Sequence, residues 1–111
     1  MEIKITAGEI DLIAVEGTID ALSSAKLTET INAHIRDGHP NVVMDFSKVD
    51  FMSSAGLRAI LASVKEARAA GGDFRLASPQ PAIDKVLKMA GFHNIVKVFD
   101  TVEDAMTSFE G

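Results

Sequence analysis

The chain has 111 residues, about the size of one folding unit, with a formal charge of −5, 47% apolar residues and 24% charged residues. Negative charge without a clustered basic stripe excludes the usual route to nucleic-acid backbones, and the lack of cysteine excludes disulfides and thiolate metal centres. No apolar run approaches the roughly 18 residues that cross a bilayer, and Met1–Thr6 alternates like a strand, so the expectation is one cytoplasmic, monomeric domain spanning residues 1–111 without membrane partners.

In chain order, residues 2–6 alternate polar and apolar, and residues 9–16 form a second apolar-rich run, with Ala7-Gly8 as the turn of a β-hairpin. Gly17-Thr18-Ile19-Asp20 breaks that run. Leu22, Leu27, Ile31 and Ile35 then fall near one helical face, which Asp37-Gly38 and Pro40 bring to an end. Asn41–Phe46, with Val42-Val43-Met44 at its centre, reads as a strand buried on both faces.

Leu57, Ile60, Leu61 and Val64 recur at i, i+3, i+4 and i+7, which predicts a second helix from about Ser54 to Gly71-Gly72. Phe74–Ala77 follows as a strand. Ser78-Pro79 resembles a helix start, with Ile83, Val86, Leu87 and Ala90 as the apolar face up to Gly91. Ile95–Phe99 returns to strand character. Thr101 and Asp104 then open a last helix carrying Val102, Ala105, Met106 and Phe109. The order β-β-α-β-α-β-α-β-α implies an α/β domain with a mixed, largely parallel sheet packed with helices.

The stretch from Asp45 to Leu57 is the most informative, because Ser53 and Ser54 stand between a buried strand and a helix mouth. A phosphoryl group on Ser54 would add about −1.5 to −2 charges, next to the unpaired amides and favourable dipole of a helix N-terminus. Position alone leaves a second role open, since either serine can simply cap the helix.

Phe51-Met52-Ser53-Ser54-Ala55-Gly56-Leu57 resembles the motif of the STAS-domain anti-sigma factor antagonists. The resemblance extends over nearly the whole chain, including Gly17-Thr18-Ile19-Asp20 and Ser78-Pro79. It implies that Ser54, two residues before the motif glycine Gly56, is the phosphoacceptor. Asp20 matches the aspartate that family members carry in the loop flanking the acceptor, and without the resemblance it reads equally well as a cap for the first helix. Ser53 stands where many members have aspartate, so kinase recognition departs from their pattern and Ser53 becomes a possible second site. Ala55 stands where many have serine or threonine.

The implied contact patch comprises Asp20, Met52, Ser53, Ala55, Gly56 and Leu57 around Ser54. The implied partners are an ATP-binding serine kinase that doubles as an anti-sigma factor, and a metal-dependent serine phosphatase. Neither a phosphate-binding Gly-x-x-x-x-Gly-Lys-Ser/Thr loop nor a kinase motif set is present, so the phosphate must come from another protein. The expectation is a regulatory binding protein without enzymatic activity or cofactor.

Three other readings compete. A Ser54 hydrolase lacks a Gly-x-Ser-x-Gly elbow, and nothing in the sequence pairs His34, His39 or His93 with the serine. His34, Asp37 and His39 have a ligand-like spacing but read as solvated polar residues at a helix end, and His93 as a loop residue. A receiver-like domain would use Asp45 after Val42-Val43-Met44, yet Gly17–Asp20 supplies one acidic residue instead of a pair, and Lys97 alone could serve as its lysine. The third reading is a STAS scaffold or transport-system subunit that does not switch.

Overall fold

The computed structural model describes residues 1–110. Strand β1 (Glu2–Thr6) runs antiparallel to β2 (Asp11–Ile19), with Ile3 opposite Val15 and Ile5 opposite Ile13. β3 (Asn41–Met52), β4 (Asp73–Ala77) and β5 (Val98–Phe99) then join in parallel, giving the sheet order β1-β2-β3-β4-β5. Between them run the helices α1 (Ala21–Arg36), α2 (Ser54–Ala69) and α3 (Pro81–Met89), with α4 (Val102–Thr107) after β5. This is the expected α/β order with one antiparallel edge.

Side chains alternate across the sheet, so strands β2 to β5 feed two cores, while the edge strand β1 adds Ile3 and Ile5 to one of them. Ile13 and Val15 of β2, Val42, Met44 and Phe46 of β3, and Phe74 and Leu76 of β4 pack against three helices: α1 through Leu27, Ile31 and Ile35, α2 through Ile60, Val64 and Ala67, and α3 through Ile83 and Leu87. The opposite face holds a smaller cluster, in which Val43 and Ala77 meet Ala105, Val102 and Met106 of α4.

Several boundaries differ from the sequence reading. β2 continues through Gly17 and Thr18 to Ile19, and β3 runs six residues past Phe46. The extension contains Ser47, Lys48 and Asp50, all exposed, so its polarity resembles a loop. Two register shifts against β2, between Ala14 and Glu16 and between Gly17 and Thr18, carry the extra β3 residues as bulges. The Asp45 carboxylate accepts from the Ser47 amide at 2.9 Å beside the first of these.

Helix α3 starts at Pro81 behind Gln80, not at Ser78-Pro79. Ser78 has a left-handed backbone (φ 55°), and its amide and hydroxyl donate to the carbonyls of Phe99 and Asp100, which hold it to the β5 end. β5 is only two residues long, because the amides of Ile95 and Val96 turn back to the Phe92 carbonyl behind the 3-10 turn Phe92–Asn94 instead of joining the sheet. Leu22 is 90% exposed instead of buried with Leu27, Ile31 and Ile35. It lies five residues before Leu27, outside the i, i+3, i+4 row.

Candidate functional site

The ends of β2 and β3 and the start of α2 converge at one edge of the molecule. Ile19 pairs with Met52 in register, and the Ser53 amide donates to the Ile19 carbonyl at 2.9 Å. Gly56 makes this closeness possible. A Cβ there would stand 2.8 Å from Ile19 Cγ2, 2.9 Å from Met52 Cγ and 3.0 Å from the Ile19 carbonyl oxygen, so any side chain would push the helix off the strand ends.

The two serines divide the roles that the sequence leaves open. Ser53 is the N-cap of α2, and its half-buried Oγ accepts from the Gly56 amide at 3.2 Å. Ser54 is the first helical residue and is exposed, and its hydroxyl makes no hydrogen bond among the described residues. One hydroxyl is committed to holding the helix start, while the other faces outward.

Asp20 occupies the corresponding position on α1. It is the N-cap, with Oδ1 accepting from the amides of Leu22 (3.0 Å) and Ser23 (2.9 Å) and from the Ser23 hydroxyl (3.1 Å). The Ser23 hydroxyl in turn accepts from the Asp20 amide at 2.9 Å, completing a capping box. The Ser23 amide, followed by its hydroxyl, holds the Asp20 carboxyl below its ordinary range. Asp20 makes no hydrogen bond to Ser53 or Ser54, but it directly follows Ile19, whose carbonyl carries the Ser53 amide. A second link, from the Thr18 hydroxyl to the Asp50 carboxylate (3.1 Å), ties the two strand ends together.

The remaining patch residues separate by depth. Ala55 and Leu57 are half-buried, and Leu57 packs against the main core. Met52, expected in the contact patch, is only 5% exposed and belongs to the core beneath it, since the alternation that exposes Phe51 turns Met52 inward. Gly56 is likewise buried.

Two exposed apolar side chains near the site escaped the sequence reading: Leu22, two residues after Asp20, and Phe51 (55% exposed), which pairs with Thr18. Leu22 could have been found from its phase relative to Leu27 and Ile31. Phe51 could not, because its exposure depends on the β3 bulges.

The histidines also differ from expectation. His34 and His39 are not simply solvated, because their Nδ1 atoms lie 3.1 and 3.2 Å from the two carboxylate oxygens of Asp11, which is fully buried. Asp37 instead ends α1 as its C-cap. No three-residue group among the described residues is arranged to hold a metal ion. His93 sits in the 3-10 turn and approaches Asp84 at 2.9 Å.

The model of the STAS domain matches residues 3–105. The chain belongs to the STAS domain family. BtrV of Bordetella bronchiseptica, provisionally named an anti-sigma factor antagonist, is 32% identical over 110 residues, covering 96% of this STAS chain and 95% of BtrV. The anti-sigma-F factor antagonist RsfB of Mycobacterium tuberculosis is 28% identical over 102 residues, or 92% of this chain and 83% of RsfB. Among solved structures, the anti-sigma factor antagonist SpoIIAA of Bacillus superposes in its unphosphorylated form with a TM-score of 0.79 (24% identity, 99% of each chain). Its phosphorylated form gives 0.75 (23% identity, 98% of each chain). At these identities, the SpoIIAA likeness establishes that the STAS fold is shared. Membership of the family sets aside the receiver reading, and the Asp45 carboxylate is engaged at a β-bulge.

Proposed function

We propose that this STAS chain is a phosphorylation-switched anti-sigma factor antagonist that acts as one regulatory domain over residues 1–111, with Ser54 as the acceptor. The observation that carries the proposal is the unequal use of the paired serines, in which Ser53 caps α2 and Ser54 points outward with its hydroxyl uncommitted. That BtrV and RsfB carry antagonist names, and that SpoIIAA has a phosphorylated form, supports the same reading.

In the unmodified state, the patch around Ser54 docks on an ATP-binding serine kinase that also serves as an anti-sigma factor, and keeps it from its sigma factor. Leu22 and Phe51 supply apolar anchors, and Asp20, Ser53, Ala55 and Leu57 supply the surrounding contact. The kinase then transfers the γ-phosphoryl group of ATP. The Ser54 Oγ–P bond forms as the bond between the γ-phosphorus and the bridging oxygen breaks, ADP leaves, and the hydroxyl proton passes to a base of the kinase or to water.

The hydrated dianion now sits in the contact, near the charged Asp20 cap, and its desolvation opposes docking. A loss of about 1.4 kcal/mol weakens binding tenfold, so the switch requires no change of fold. A metal-dependent phosphatase resets it. In this reading the chain is a monomeric cytoplasmic regulator that catalyses no reaction and requires no cofactor.

The test is mass spectrometry after incubation with ATP and candidate kinases. The proposal requires stoichiometric modification at Ser54, and modification confined to Ser53 or to another residue would refute it. Binding assays complete the test: Ser54→Ala should still bind the kinase, and Ser54→Asp should bind it more weakly.

A further inference from the structure

We propose that Arg58 is the residue that receives the phosphoryl group of modified Ser54, so that phosphorylation occupies the cation of the patch while adding an anion to it. The inference rests on Ser54 being the acceptor and concerns what its modified form does.

Ser54 and Arg58 are both exposed on α2 and stand four residues apart, which places their Cβ atoms roughly 5–6 Å from each other on one helical row. With the anion on the N-terminal side of the cation, the order is the favourable one along a helix. The guanidinium can also engage two phosphate oxygens at once.

The partnering of the arginines points the same way. Arg36 pairs with Glu66 at 3.2 Å, and Arg68 and Arg75 both pair with Asp73 at 3.0 Å. Arg58 is the one arginine that forms no ion pair among the described residues. Its neighbours on α2 three and four residues away are Ser54, Ala55, Leu61 and Ala62, so these positions offer no carboxylate and a single hydroxyl. A phosphate on that hydroxyl supplies the missing counter-charge.

The patch consequently changes in two ways at once. Before modification, the Arg58 cation is open to an acidic group on the partner. Afterwards it is turned to the phosphate of its own chain, so a partner meets a dianion and loses a cation.

The test uses the full chain with phosphoserine installed at position 54 during translation, so that no kinase is involved. Phosphorus NMR then follows the second ionisation of the phosphate at low salt. A nearby guanidinium favours the dianion, so the wild-type midpoint should lie below that of Arg58→Gln by roughly 0.2–0.4 pH units. Arg58→Lys should recover part of the shift, and high salt should collapse the difference. Coincident titrations of the wild type and Arg58→Gln at low salt would overturn the proposal while leaving Ser54 as acceptor. Conversely, a kinase that ignores Ser54 would remove the switching role while the titration shift stood.

Discussion

The amide of Ser53 donates to the carbonyl of Ile19 across 2.9 Å, and this bond ties the start of α2 to the last residue of β2. Asp20, the next residue, caps α1. One short connection therefore sets two helix N-termini side by side, and Ser54 projects from one of them. The geometry leads to five expectations that mutagenesis and titration can check.

Gly56→Ala should be more harmful than an ordinary Gly-to-Ala change in a helix, which usually helps. The added methyl would meet Ile19 and Met52 at 2.8 to 3.0 Å. Relief requires α2 to shift, at a cost of about 1–3 kcal/mol. Urea unfolding should show the lower midpoint, and kinase modification of Ser54 should slow as its hydroxyl is displaced.

The paired serines should separate stability from modification. Ser53→Ala removes the cap of α2 and should cost about 1 kcal/mol. Ser54→Ala should stay within about 0.5 kcal/mol of the wild type, yet abolish modification in the kinase assay. Equal stability losses for the two variants would contradict the assignment of Ser53 as the cap.

Asp11 is fully buried and meets His34, His39 and the Gly8 amide (3.1 Å), joining the β1–β2 turn to the last turn of α1 and to the segment between α1 and β3. Removing both imidazoles would leave the carboxylate with the Gly8 amide. The histidine side chains are 34% and 38% exposed, so water can replace part of what is lost. His34→Ala with His39→Ala should cost about 1–3 kcal/mol, and a double-mutant cycle by urea unfolding should find the two changes non-additive because they share one acceptor.

Burial pushes the Asp73 carboxyl upward, but the bonds from Arg75 and Arg68 outweigh it and hold the group below its ordinary value of 3.8. The unfolded chain therefore takes up this proton at a higher pH than the folded one. The stabilisation is fully present above 3.8 and is lost as pH falls through the folded value. In acid titrations of stability, Asp73→Asn should flatten the decline below about pH 4, and Arg75→Gln should have a smaller effect in the same direction.

Leu22 and Phe51 are exposed at 90% and 55%, so polar replacements should leave the unfolding midpoint nearly unchanged. On the docking surface proposed above, Leu22→Ser or Phe51→Ser should weaken kinase binding by more than about 1 kcal/mol, the threshold for a substantial interface contact. Calorimetric titration measures this directly, and unchanged affinity in both variants would place the contact elsewhere on the chain.

The sequence by itself determined the element order, the parallel character of the sheet, the family motif, and the pair of serines at a strand-to-helix junction. These are local properties: apolar period, turn residues and motif spacing are all read within a few neighbouring positions. Only the tertiary structure decided which serine caps and which stays free, because that depends on how β2 and β3 end against each other at Ile19, Met52 and Gly56. It also decided that Met52 is core, that Phe51 is surface, and that His34 and His39 share a carboxylate 23 and 28 residues away in sequence. Bulges that reset the phase of a strand, and hydrogen bonds between distant segments, leave no trace in periodicity. They arise only when the buried faces of the sheet and helices are brought into contact.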